Sequence, residues 1–430
     1  MSIKKNTLWN LIGSGVPMLV GVFTIPYLIS ALGIETFGIL TLVWALIGYF
    51  SFFDFGLGRA LTQQIAIKRS SGMENEIPKI IKAGLLFTAL TGLCGGILLF
   101  VLTPKLAESW LNISANLQSS ALNSLAIASI GIPFTTLTTG FRGILEGFED
   151  FKAVNILRII LGIANFALPA LVVFFIGASL EYAVASLVAS RFVILIWHYI
   201  VVTKKIKINW TAVMLRYSDF KSLMGFGIWM TVSNVISPLM VTADRFVISS
   251  VLGAAYVAYY TVPFEVLVRV LIIPGALTAA VFPKITSLLQ TDLNDAEKLY
   301  SKSVKLVASV LFPVLLVTTA GAHLGLSIWI SKDFADMAWI VTAILAIGIA
   351  FNGMAQIPHA TIQAAGKVRL TALIHFSELI LYVPVLFVAL KLFGINGAAI
   401  AWVLRVLADF LVLRFFAKKI FKSSVYENAA

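Results

Sequence analysis

Twelve apolar stretches of roughly 20 residues follow one another along this chain, and its lysines and arginines fall almost entirely into every second connection between them. Each stretch is long enough to cross the hydrocarbon core of a bilayer as a helix, and basic residues collect in the short loops on the cytoplasmic side. The spans run at about Leu8–Leu32, Gly38–Gly58, Ile80–Leu102, Ala121–Phe141, Ile156–Gly177, Ala183–Thr203, Leu223–Ser249, Tyr259–Phe282, Leu306–Ile330, Met337–Ile357, Ala372–Leu390 and Gly397–Phe416. With the amino terminus inside, twenty-three basic residues lie in cytoplasmic segments, against Lys105, Lys332 and Lys391 outside. The pattern therefore predicts both termini in the cytoplasm.

Composition closes off other classes. With 60% hydrophobic side chains in 430 residues, nearly all of the chain is spent on spanning segments and no soluble domain is left over. The longest connections, Lys204–Ser222 and Lys284–Lys305, read as short amphipathic cytoplasmic helices. The net charge of +12 is spread over seven cytoplasmic segments, so it reads as an orientation signal and not as a nucleic-acid surface. One cysteine, Cys94, rules out a disulfide framework. The sequence has no phosphate-binding loop, metal-ligand spacing or nucleophile elbow.

The halves repeat. Leu32-Gly33 aligns with Leu252-Gly253, Pro169 and Gly177 with Pro384 and Gly394, and Ala183 and Phe192 with Ala399 and Phe410, at offsets of 215 to 220. Six spans per copy is an even number, so both copies insert the same way up. The expectation is an all-α membrane protein of two six-helix bundles, related by a pseudo-two-fold axis along the membrane normal, with a central cavity between them. The domains are then residues 1–203, a linker at 204–222, residues 223–417 and a tail at 418–430. Gly92 with Gly96, and Gly143 with Gly147, are spaced to let helices approach closely. Prolines inside the spans, among them Pro133, Pro263, Pro274 and Pro384, should bend their helices.

Charges inside spans cost at least about 2.5 to 3.5 kcal/mol each, so they should face protein or water. Glu265 with Arg269, and Arg405 with Asp409, are four apart on one helix face and can neutralise one another. Arg158, Arg191 and Arg245 have no acid one turn away and need a partner elsewhere or an anionic ligand. Asp54 and Arg59 lie close to the cytoplasmic end of the second span, and Asp244 sits beside Arg245. His375 and Glu378, three apart, could share a coupling proton, whereas His198, His323 and His359 have no acidic neighbour in sequence. Tyr259 or Tyr260 could stack on a sugar. An arginine excess suits a phosphorylated substrate, because guanidinium stays charged and presents a fork of donors.

The segments Ile25-Pro26-Tyr27 to Phe37-Gly38 and Phe53-Asp54-Phe55-Gly56-Leu57-Gly58-Arg59 resemble the opening of the polysaccharide transporter family, the Wzx-type O-antigen flippases. Phe141-Arg142-Gly143 to Gly147-Phe148-Glu149, Tyr259-Tyr260 to Phe282-Pro283-Lys284, and Ala365-Gly366-Lys367 extend the resemblance over the whole chain. That family shares a superfamily, the MOP superfamily, with MATE multidrug exporters and lipid II flippases. The resemblance implies a flippase in the bacterial inner membrane and not an enzyme. It would carry an undecaprenyl-pyrophosphate-linked oligosaccharide, an O-antigen or capsule repeat unit, from the cytoplasmic to the periplasmic leaflet by alternating access.

The resemblance further implies cavity arginines on the diphosphate. Arg269 fits best, followed by Arg245 and Arg59, with Arg191 and Arg158 as further candidates. Asp54, Asp244, Glu265, His375, Glu378 and Asp409 are the candidates for charge pairing or for coupling to H+ or Na+. No other cofactor or metal is implied. Membrane lipids, and the polymerase and chain-length machinery, are the implied partners. Two other readings are a cation-coupled drug exporter on the same fold, which predicts an acid-rich amino-terminal lobe, and a membrane glycosyltransferase or polymerase. The latter needs catalytic acids or a large outside loop, and the longest one, Thr103–Ser120, is short.

Overall fold

The computed structural model describes residues 3–50, 57–206 and 243–427, and among these all regular structure is helical. The helices are α1 (Ile3–Leu32), α2 (Ile34–Phe50), α3 (Leu57–Ser70), α4 (Ile77–Lys105), α5 (Ala115–Gly147), α6 (Phe151–Phe175) and α7 (Leu180–Lys205). They continue as α8 (residues 243–252), α9 (Ala254–Leu267), α10 (Ile272–Thr291), α11 (Leu293–Trp329), α12 (Lys332–Ala364) and α13 (Val368–Glu427). Among the described residues, eight helical stretches are long and apolar enough to cross a membrane, and the shorter apolar helices Val16–Leu32 and Ile34–Gly48 add to them. The last of the eight, Arg369–Phe421, is two helices joined at Gly394, whose φ of 58° and ψ of −144° break the coil between the predicted eleventh and twelfth spans. The predicted seventh span, Leu223–Ser249, lies mostly outside the described residues, as does the connection Lys204–Ser222. The other long connection is no separate amphipathic helix. It is the end of α10 and the start of α11, and Asp292 between them accepts from the Asp295 N–H at 3.0 Å as the N-cap of α11.

The described residues fall into two compact units. The first runs to Ile206 and takes in Gly253–Ala255; the second takes Ala243–Leu252 and Tyr256 onward. In both, the large exposed side chains are apolar, for example Phe23, Phe100 and Phe175 in the first and Val317, Leu381 and Phe393 in the second. A surface of this kind suits lipid.

The repeat is written into the backbone at a constant offset of 217. Helix α5 and helix α12 have the same length, 33 residues, and Phe151 and Val368 begin the helices that follow. The turns between them carry the same three bonds. Phe148, Glu149 and Asp150 donate to the carbonyls of Ile144, Glu146 and Leu145, and Ala365, Gly366 and Lys367 donate to those of Thr361, Gln363 and Ile362. Glu149 (φ 60°) and Gly366 (φ 76°) both hold the left-handed conformation that closes such a helix end. Gly177 and Gly394 are likewise both at positive φ, 134° and 58°.

Small residues set how closely the helices of the first unit pack. A Cβ on Gly92 would meet Thr136 Oγ1 at 2.0 Å and the Cα of Pro133 at 3.0 Å, and one on Gly143 would meet the Gly58 carbonyl at 2.1 Å. Thr62 donates to the Gly143 carbonyl at 3.0 Å across the same contact. At that end of the unit Lys205 pairs with Asp150 at 2.8 Å, and Arg69 donates to the Gly147 carbonyl at 3.2 Å.

Candidate functional site

The densest group of intramembrane charges lies wholly within the second unit. Asp244 and Arg245 are consecutive on α8, so their side chains leave about 100° apart and enter different surroundings. Asp244, 1% exposed, accepts from the hydroxyls of Tyr260 on α9 and Tyr382 on α13, each at 2.8 Å. Arg245, 7% exposed, reaches Glu265 of α9 at 2.5 Å. The other oxygen of Glu265 lies 3.5 Å from Arg269. One carboxylate thus faces two guanidinium groups, and the trio keeps one net positive charge.

Arg269 stands on a 3-10 turn, Val268–Leu271, that separates α9 from α10 in the middle of the predicted eighth span. The cause is local. Pro274 has no N–H for the carbonyl of Val270, so regular α-helical bonding fails at this point. The Arg269 side chain is 42% exposed, the Arg245 side chain 9%. Arg269 is therefore the member free to meet a ligand.

A second group adjoins the first through Arg405. His375 Nε2 lies 3.7 Å from Asp409 Oδ1, and His375, Glu378 and Asp409 bring one ligand atom each to within 4.8 Å of one another. His359 of α12 stacks on His375 with ring centroids 5.4 Å apart and planes 11° apart, and Gln363 lies 3.5 Å from the His359 Nε2. Arg405 and Asp409 stay in electrostatic range as expected, without a direct ion pair. The guanidinium lies over the Tyr382 ring at 5.0 Å, in electrostatic range of Asp244, Glu378 and Asp409. The Nε of Arg405, the Oε1 of Glu378 and the Oδ1 of Asp409 are buried without a hydrogen-bond partner.

The first unit holds the other arginines. Arg191 is buried, and its Nη1 donates to the Leu187 carbonyl at 2.9 Å on its own helix. Gly131 of α5 packs beside it, where a Cβ would press on Val188 Cγ2 at 3.1 Å and touch Arg191 Cδ at 3.8 Å. Arg158 is exposed on α6, in electrostatic range of Arg142 and Glu146, which pair with each other at 3.6 Å. Arg59 lies on α3, and Asp54 lies outside the described residues.

The structure thus brings together Arg245, Glu265, Arg269 and Asp244, and beside them His375, Glu378 and Asp409. It leaves Arg158 and Arg191 in the other unit. Sequence reasoning missed Tyr382, Arg405 and His359 as members of this group. Tyr382 was within reach of it, because residues 375, 378 and 382 share one helix face. Tyr260 is taken up by Asp244 and is 1% exposed, so it offers no face to a sugar. The remaining histidines are satisfied structurally. His198 Nδ1 is 2.9 Å from the Ile194 carbonyl, and His323 finds an acid after all, Asp336 on the next helix at 2.7 Å.

Residues 3–289 match the model of a family described as polysaccharide biosynthesis protein. A protein of Shigella flexneri named "Putative O-antigen transporter" is 37% identical over 428 residues, covering 100% of both chains. The chain belongs to the polysaccharide biosynthesis protein family. An "Uncharacterized membrane protein in cps region" of Klebsiella pneumoniae is 26% identical over 220 residues, 49% of this chain and 43% of that one. Among solved structures, an inward-facing multidrug resistance MATE family transporter of the MOP superfamily superposes with a TM-score of 0.78 at 15% identity, covering 99% of this chain and 97% of its own. A MOP superfamily transporter from Pyrococcus furiosus gives 0.66 at 14% identity, covering 97% and 94%. At such identities the likeness concerns the fold alone, which is the twelve-helix, two-bundle MATE fold that the repeat predicts. This family member is a multi-pass membrane protein with the fold of transporters.

Proposed function

We propose that the chain is a flippase that carries an undecaprenyl-pyrophosphate-linked oligosaccharide, an O-antigen or capsule repeat unit, from the cytoplasmic to the periplasmic leaflet of the bacterial inner membrane. The observation that carries the reading is the Arg245–Glu265–Arg269 group, a net cation whose outer guanidinium is open, in a member of a polysaccharide biosynthesis family. A planar fork of donors matches a diphosphate, and its charge survives at any physiological pH. The need for a carrier is physical. Each sugar hydroxyl left unpaired in hydrocarbon costs several kcal/mol, so unassisted crossing is very slow.

Both termini lie in the cytoplasm in this reading, following the twenty-three to three bias of basic residues. The membrane potential, negative inside, then favours outward movement of the anionic headgroup by roughly 2.3 kcal/mol per charge per 100 mV. Alternating access of the two units moves the headgroup while the polyprenyl tail stays in lipid. A coupling cation exchanges at the intramembrane acids, with Asp244, Glu378 and Asp409 as candidates. Polymerase and chain-length machinery consume the product on the outer side.

Deleting the gene and locating the undecaprenyl-linked repeat units tests this directly. Build-up in the inner leaflet is the expected result. Normal surface glycan together with altered drug tolerance would transfer the chain to the exporter reading.

A further inference from the structure

The exact register between the units allows them to be compared position by position along one helix–turn–helix. Subtracting 217 takes His359 to Arg142, Gln363 to Glu146 and His375 to Arg158. The pairing is geometric as well as numerical, since both ends of α6 and the turn before it keep that offset. Gln363 meets His359 one helical turn away at 3.5 Å, as Glu146 meets Arg142 at 3.6 Å. Where one unit carries permanent cations, the other carries imidazoles.

The next position along α13 makes the difference sharper. Glu378 corresponds to Leu161, and α6 and α7 of the first unit hold one acid between them, Glu181 at the start of α7. The same helix thus folds with leucine where Glu378 stands, so the fold does not require that acid. Keeping Glu378 Oε1 and Asp409 Oδ1 buried without a hydrogen bond, on two carboxyls that bond to each other, calls for a function.

Resting on the flippase reading above, we propose that His375, Glu378 and Asp409 form the coupling-ion site, that the ion is a proton held on the Glu378–Asp409 pair, and that stacked His359 and His375 deliver it from the cytoplasmic side. The ligand set suits a proton. One imidazole nitrogen and two carboxylate oxygens within 4.8 Å are all reversibly protonated groups, too few for a hard cation that takes six or more oxygens, and they would also suit a zinc ion but for the guanidinium beside them. Arg405 already sets a fixed positive charge beside these acids, which opposes a second metal-like charge. Added to the carboxylate pair, a proton neutralises one member and leaves the other matched to Arg405.

The transfer is simple. His359 takes a proton from cytoplasmic water and, because stacked rings aim no N–H at each other, passes it to His375 through a bridging water or a turn of one ring; the Nε2–H of the His375 imidazolium then gives it to Asp409 Oδ1. The 3.7 Å between those atoms closes through one water or a small side-chain approach. The groups facing this centre are His359 from α12, His375, Glu378, Tyr382, Arg405 and Asp409 from the two limbs of α13, and, beyond Tyr382, Asp244 of α8 with Tyr260 of α9.

The test needs no transported substrate, so its failure is separate from failure of the flippase reading. Purified full-length protein is treated with dicyclohexylcarbodiimide, which couples to protonated carboxyls in apolar surroundings, and the adduct is mapped by mass spectrometry. Labelling is expected at Glu378 or Asp409, with a rate that falls at least about tenfold between pH 6 and 10. Saturating Na+ or Zn2+ at fixed pH should not slow it. His359→Gln and His375→Gln should slow the recovery of labelling after a drop in pH by several-fold. In Glu378→Leu, which borrows the residue of the other unit, Asp409 no longer shares a proton and faces Arg405, so its labelling at about pH 6 should fall several-fold. Protection by Na+ or Zn2+, or no adduct on either carboxyl of the wild-type protein at any pH in that range, would overturn the proposal.

Discussion

The Arg245 guanidinium and the Glu265 carboxylate meet between α8 and α9 at 2.5 Å, closer than the 3.5 Å at which the same carboxylate faces Arg269 one turn along its own helix. Glu265 is therefore first the counterion of the buried arginine and only second that of the open one. The three members should respond differently to truncation.

Removing Glu265 strands Arg245 with its 9% exposed side chain, and because Glu265 itself is 41% exposed the cost should lie below the about 3 to 5 kcal/mol of a fully buried pair. Glu265→Ala should therefore lower the melting temperature in detergent. Arg269→Ala should leave it unchanged yet abolish surface glycan, and Arg269→Lys should restore glycan only in part, since the ammonium lacks the fork. Full glycan display by Arg269→Ala at normal protein level would remove Arg269 from the site.

The Asp244 clamp predicts a coupled pair. Tyr260→Phe and Tyr382→Phe each take one donor from a fully buried carboxylate and should each destabilise by about 1 to 3 kcal/mol. The double variant should cost other than the sum, because both hydroxyls serve one carboxylate. Thermal unfolding of the four proteins of this cycle measures the coupling, and strict additivity would mean that the two hydroxyls act independently.

Close packing in the first unit is testable with matched glycines. A methyl group on Gly92 meets Thr136 Oγ1 at 2.0 Å and backbone Cα of Pro133 at 3.0 Å, so Gly92→Ala should cost about 1 to 3 kcal/mol. Gly321→Ala, in α11 with no atom within 4 Å of the added carbon, should be neutral or stabilising by up to about 1 kcal/mol. Equal melting temperatures for the two variants would contradict the packing.

Asp150 supplies a pH dependence outside the spans. Its hydrogen bond with Lys205 holds the carboxyl below its ordinary value, helped by the Ala153 N–H that it caps at 3.1 Å. A depressed carboxyl pKa adds stability that is present above the unfolded value, about 3.9, and is lost as pH falls through the lower folded value. Asp150→Ala should cost about 1 kcal/mol at neutral pH, mostly as a lost N-cap, and the gap from wild type should narrow below about pH 4. Melting curves at pH 7 and pH 3 check both statements.

Much of the architecture was legible because it follows from one-dimensional rules. Apolar length gave the spans, basic residues gave the expected orientation, and Gly33, Gly177, Gly253 and Gly394, aligned from sequence, all adopt positive φ. The spacing of Glu265 and Arg269 correctly put them on one face. What failed to show was pairing between helices distant in sequence. Arg245 with Glu265, Asp244 with Tyr382 138 residues away, and His375 with Asp409 depend on how helices pack, which local periodicity does not encode. For the same reason the i, i+4 rule told only part of the story at Arg405, which keeps Asp409 in electrostatic range while the Tyr382 ring of the neighbouring limb offers the guanidinium a flat seat.

The tight turn of Val268–Leu271 gives Arg269 a mechanical setting that a straight helix would lack. Four residues recoiling from three to 3.6 per turn shorten the rod by about 2 Å and swing the side chains they carry by about 80°. A guanidinium mounted there is a crank handle. Winding and unwinding a single turn would sweep its charge around the shaft, and one flanking rod would follow the twist and the shortening.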